Sequence, residues 1–209
     1  NDERKIVGTF DEAGTECIRW YADVEEAESA LVVAQLRSPD MPLHLAVTPL
    51  GTAFALSEKW QSSPSALPLK LHASKTVTAG LAEELGATVD ADDIFPVFSC
   101  EELSNARVMP FFLSRQDLAD TWVAAGRPAD KIPQELTVTL LRTLTKLMLE
   151  RPLERQDGAE GAAAAPVNWR TSMFIASSKA TRKAQQLQEA EAAAKSRRED
   201  AEVEPPPLA

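Results

Sequence analysis

Apolar positions along this chain switch repeatedly between a period of two and a helical period. In 43–48, "LHLAVT", Leu43, Leu45 and Val47 alternate with His44, Ala46 and Thr48, as in a strand with one buried face. Before it, Ala27, Ala30, Leu31 and Ala34 recur at helical spacing. Asp23 is placed to cap that helix, Glu25 and Glu26 suit the positive end of its dipole, and Ser38-Pro39 stops it. Strands are predicted at 6–10 and 17–22, joined by a turn around Gly14. Pro49 opens a second helix running to about Trp60. A polar loop at 61–68 leads to a strand at 69–73, then to a helix from Thr76 to Leu85 ended by Gly86.

A second series follows. Strands are predicted at 93–99 and 108–113. Ser114 then caps a helix, with Asp117 three residues on, that ends at Gly126. Residues 136–139 read as a strand or helix entry and 140–149 as an amphipathic helix. A strand at 169–176 and a helix at 178–200 close the series. That helix is polar, with Leu187 its only large apolar side chain, so it has little to bury and is expected to project.

The two series share one plan. At an offset of 91, residues 19–60 lie over 110–151 without a gap. Pro42 falls on Pro133, and Leu45, Val47, Thr48 and Leu50 fall on Leu136, Val138, Thr139 and Leu141. Each half repeats strand, strand, helix, mixed segment, strand, helix. The fold class read from this is α/β (α+β), one duplicated domain over 1–185 with pseudo-symmetric halves at 6–86 and 93–185. Residues 151–166, "RPLERQDGAEGAAAAP", have no counterpart and read as an insertion or flexible linker; 186–209 form a polar helical arm and a proline-rich tail.

Composition narrows the function. The chain has 209 residues, 44% of them apolar, enough for one substantial core or two small fused ones. A net charge of −10 argues against nucleic acid, whose phosphates need a positive surface. No apolar run approaches the roughly 20 residues of a membrane span, so the chain is expected to be soluble or at most peripheral to a membrane. Cys17 and Cys100 do not make a disulfide framework; they read as two free thiols, with a pair as the alternative if the two hairpins meet.

The chemistry of the side chains points away from catalysis. His44 and His72 stand on predicted strands outside any metal-spaced cluster, and no phosphate-binding or nucleophile motif is present. Asp90, Asp92, Asp93, Glu101 and Glu102 read as a solvated acidic rim that keeps an apolar strand from aggregating. Ser114 is explained by its cap position. No enzyme activity, cofactor or metal is therefore expected.

What stands out is apolar. Phe95, Val97 and Phe98 face Val108, Met109, Phe111 and Phe112 across a predicted hairpin. Strands apolar on both faces are either covered twice by helices or line a groove for an apolar peptide. On the second alternative, Val97, Phe98, Met109, Phe111 and Phe112 would contact a partner, as would Phe10 and Trp20 in the first half.

Residues 93–123, "DIFPVFSCEELSNARVMPFFLSRQDLADTWV", resemble the Pro-Val-Phe strand, Pro-hydrophobic-Phe strand and Ser-x-x-Asp-Leu helix entry of a known family. That family is the twenty-two kilodalton component of the translocon at the inner chloroplast envelope, the Tic-twenty-two family. "LTVTLLRTLTKLM" at 136–148 and "NWRTSMFIASS" at 168–178 are similar to its later helix and closing strand, and "RWYADVEEAESAL" at 19–31 to an earlier helix entry. The likeness covers about 6–185. It departs in "IVGTF" at 6–10, in "IASS" in the closing strand, in the alanine insertion and in the long polar helix.

The resemblance implies a pseudo-twofold α/β protein with apolar clefts in the plastid intermembrane space. There it would act as a non-enzymatic chaperone or adaptor for preproteins and their transit peptides, beside other translocon components. The alternative is a diverged member fixed as a structural subunit of a larger plastid or thylakoid complex, in the stroma or on the thylakoid, contacted through 178–209.

Overall fold

The computed structural model describes residues 8–11, 13–63, 65–85, 92, 94–105, 107–134, 136–150 and 171–203. The first series gives β1 (Thr9–Phe10), β2 (Glu16–Tyr21), α1 (Val24–Arg37), α2 (Leu50–Ser57), β3 (Leu69–His72) and α3 (Lys75–Leu85). The second gives β4 (Pro96–Ser99), β5 (Met109–Phe112), α4 (Arg115–Ala124), β6 (Thr137–Leu140), α5 (Leu141–Glu150), β7 (Ser172–Ile175) and α6 (Ser178–Val203). The predicted insertion at 151–166, the Gly86 cap and the tail beyond 203 lie outside the described residues.

The chain divides into two compact units, one formed by 1–70 with 178–209, the other by 71–177. The closing helix of each sequence half therefore falls in the unit of the other half: α3 in the second, α6 in the first.

In the first unit β1 and β2 pair antiparallel, with Thr9 opposite Cys17 and Phe10 opposite Glu16. Their turn is set by Asp11, whose Oδ1 accepts from the Thr15 amide at 2.7 Å, and by Gly14 at φ +78°, a conformation that a side chain disfavours. β3, whose first two residues end this unit's opening segment, adds on the other side of β2. Asp23 caps α1 as its sequence position dictates, its Oδ1 accepting from the amides of Glu25 and Glu26. In α2, Ala53 and Phe54 are buried, and Trp60 meets the Phe54 ring edge-on at 5.3 Å.

The second unit is built on a four-stranded sheet of order β6-β4-β5-β7, antiparallel except for the β5–β7 pair. Directly paired residues point to one face, so Val138, Phe98, Phe112 and Ile175 form a row across all four strands. Against it pack Leu118 and Trp122 of α4, Cys100, Val77 of α3, Leu103, Ile132 and Leu136. Ser114 starts α4 as predicted: its Oγ accepts from the Asp117 amide at 3.0 Å and donates to Asp117 Oδ2 at 2.7 Å.

The first sheet has the order β1-β2-β3, and the second contains β4-β5-β7 in the corresponding order with β6 added outside β4. The counterpart of β6 was expected as a strand at 43–48. It has no strand there: the backbone joins no ladder. Pro42 and Pro49 bracket the segment, and proline donates no amide to a ladder. Trp20 Nε1–H instead donates to Thr48 Oγ1 at 3.2 Å, holding the segment by a side chain.

Candidate partner-contact surface

The predicted contact residues separate into interior and surface. Phe98 and Phe112 are 1% and 0% exposed, and Val97 and Phe111 are buried as well. The apolar side chains of the hairpin are therefore packed into the interior and not presented along an open groove. The row through Phe98 and Phe112 lies under α4 and Val77. On the opposite face, the Phe111 ring lies against Phe174 of β7 at 5.6 Å. These four side chains cannot meet a partner without opening the core, which corrects their assignment as contact residues. Met109 is half-buried on β5 beside Ser172.

Trp20 is half-buried and spends its ring N–H on Thr48. Phe10 is exposed, with the Arg37 guanidinium over its ring at 5.5 Å. That contact places Phe10 beside the C-terminal end of α1.

α1 is the unexpected element. Its inner stripe is the predicted Ala27, Ala30, Leu31 and Ala34, yet it also exposes Val32, Val33 and Leu36, the last 78% open to solvent. The signal was in the sequence: "ALVVAQL" at 30–36 is apolar on more of the helix than one stripe can bury. Met41 and Val47, just beyond α1, are exposed too. Gln35 Nε2 donates to the Leu43 carbonyl at 3.2 Å, drawing this segment along the helix. A shallow hollow of about 350 Å³ lies over Arg37–Pro42.

The first half of the same helix is acidic. Lys179 and Lys183 of α6 pair with Glu25 and Glu28. The hydrogen bond and charge of Lys179 hold the Glu25 carboxyl below the usual carboxylate range, and Glu25 in turn raises Lys179.

The acidic rim expected around β4 is in part interior. Asp92 is not solvated: its Oδ1 lies 2.6 Å from His72 Nδ1, and both side chains are buried. Cys100 Sγ–H donates to Glu102 Oε2 at 2.9 Å; burial, then this bond, pushes the thiol up. Nothing in the sequence marks either pairing. Among the described residues, no three or more His, Cys, Asp or Glu side chains gather as metal ligands, and no helix is long and apolar enough to cross a membrane. Neither cysteine forms a disulfide.

No protein-family model matches the chain, and no curated protein matches it. Two solved structures are similar to it. One is Tic22 of Anabaena, described as protein transport, with a TM-score of 0.54 and 14% identity over 85% of this chain and 84% of that one. The other is Tic22 from Plasmodium falciparum, with a TM-score of 0.50 and 16% identity over 87% of each. The chain thus has a Tic22-like mixed α/β fold, the fold that the resemblance at 93–148 implied.

Proposed function

We propose that this chain handles polypeptides in a protein-import route, as a chaperone or adaptor that binds preproteins at the plastid envelope and carries out no catalysis. The observation that carries the reading is the Tic22-like fold over 85% of the chain, shared with a protein described as protein transport. The surface supports it. Phe10, Val32, Val33 and Leu36 are exposed apolar side chains of the first unit, at or beside the second half of α1, whose first half carries the carboxylates. A net charge of −10 favours basic, transit-peptide-like clients. The proposed site of action is the plastid intermembrane space, beside translocon components.

The test is a titration with a synthetic basic presequence peptide at rising salt. Binding is expected at low ionic strength and should weaken as the screening length shrinks from about 30 Å at 0.01 M to about 10 Å at 0.1 M. No binding at low salt removes the reading.

A second reading, a fixed subunit of a larger plastid or thylakoid complex, is favoured by α6. Every described side chain from 188 to 197 on that helix is exposed, a long polar surface to lay against a partner. Stoichiometric co-purification from plastids would support it; a stable monomer on size exclusion, with no co-purifying partner, would count against it.

A further inference from the structure

Glu25, Glu28, Val32 and Leu36 stand at i, i+3, i+7 and i+11 of α1, a spacing that puts them along one face. The face is acidic over its first turns and apolar over its last. Its acidic half is occupied by α6, and its apolar half is open: Val32 is 55% exposed. The two ion pairs advance in the same sense along both helices, so α1 and α6 lie side by side with their N-termini together. On α6 the corresponding positions are Lys179, Lys183 and Leu187, at i, i+4 and i+8. A cleft of about 220 Å³ remains between the helices, with Val24 and Gln186 in its lining.

The hold is weak by its nature. Exposed ion pairs contribute little and are screened by salt: Lys179 and Glu25 are each 71% exposed, while Lys183 and Glu28, at 30% and 47%, hold more firmly. Lys179 and Lys183 also lie in the first turns of α6, where positive charge opposes the helix dipole. The carboxylates of α1 offset that, so the docked position suits α6 without fixing it there.

We infer that this face of α1 is a docking strip for a basic amphipathic helix of a client polypeptide, and that α6 is an internal occupant of its acidic half, displaced when the client binds. The occupant is specified by the complementarity α6 displays: cations spaced four apart for Glu25 and Glu28, followed by an apolar side chain for Val32 and Leu36. α6 supplies the cations and one apolar side chain, Leu187, and still leaves Val32 and Leu36 55% and 78% exposed. A client helix that continues with leucines would cover both halves and outcompete it. The inference rests on the polypeptide-binding reading and names its site, its ligand chemistry and its competitor.

The test uses the full chain and a labelled presequence peptide with Lys or Arg at four-residue spacing followed by leucines, read by fluorescence anisotropy. Lys179→Gln/Lys183→Gln, which loosens α6, should bind about fivefold tighter, the scale expected from losing two weak competing ion pairs. Lys195→Gln/Arg197→Gln makes the same change in net charge farther along α6 and should leave affinity unchanged. Val32→Ser/Leu36→Ser should bind about tenfold or more weakly. Spin labels at the exposed positions Ser29 and Gln186 should move apart when peptide is added. If the wild-type chain binds and none of these variants shifts affinity more than twofold, the inference falls while the polypeptide-binding reading stands. If loosening α6 weakens binding, displacement is wrong. If neither wild type nor the loosened variant binds, both readings fall.

Discussion

His72 Nδ1 and Asp92 Oδ1 lie 2.6 Å apart, with side chains 4% and 5% exposed. The pair ties the end of β3 to the segment that leads into β4, both within the second unit. Removing one partner leaves a buried polar group without its counterpart, so Asp92→Ala should cost about 3 kcal/mol of stability. The double variant His72→Ala/Asp92→Ala should cost less than the two single changes together, by about 1 kcal/mol or more. Urea unfolding of the four proteins checks this; additive costs would show that the two groups do not act as a pair.

Ser114 both accepts from the Asp117 amide and donates to its carboxylate at the entry to α4. Ser114→Ala should therefore lower stability by about 1 kcal/mol, and Ser114→Asn should restore most of it, because asparagine caps equally well and its amide can still donate to the Asp117 carboxylate. A nucleophilic role would leave no such rescue, with Asn as poor as Ala in any activity assay.

Phe112 is sealed in the core of the second unit and Phe10 is exposed on the first. Phe112→Ala should cost about 3–5 kcal/mol, the range for large aromatic truncations in a packed core. Phe10→Ala gives up a half-exposed ring with the Arg37 guanidinium over it and should stay within about 1 kcal/mol, while weakening presequence binding. If Phe112→Ala were harmless to folding but abolished peptide binding, the hairpin would be a groove after all.

Local signals were legible in the sequence wherever one residue decides the outcome. Asp23, Ser114 and Gly126 mark helix ends by their own chemistry, and all three act there: Asp23 and Ser114 cap, and Gly126 adopts φ +77°. The apolar run through Phe98 and Phe112 was equally visible, but its meaning was not. A strand apolar on both faces looks the same beneath helices as it does lining a groove, and only the packing of Leu118, Trp122 and Val77 decides. The strand expected at 43–48 failed because its alternation carries no information about a neighbouring edge with which to pair. The surface of α1 and the His72–Asp92 pair depend on contacts between distant positions, and single-residue periodicity is blind to those.

The attachment of α6 to α1 gives a prediction in which charge and apolar contact have opposite signatures. Glu25 has a lowered carboxyl through Lys179, so its contribution is complete above the ordinary glutamate value of 4.5 and fades as pH falls below it. Lys179 is raised by Glu25, so its share is complete below the ordinary lysine value of 10.5 and is lost as pH climbs past it. The docked state should thus be flat across neutral pH and open at the acid end. At neutral pH, about 0.5 M sodium chloride should loosen it too, since charges this exposed are screened. Distances between spin labels at Ser29 and Gln186 report both effects directly. If Leu187 and the helix stems held the pair together, neither acid nor chloride would separate them, and a salt such as sulfate would tighten the contact. Separation in acid and in chloride identifies the ion pairs as the hold, and with them a helix that a better-matched basic client can displace.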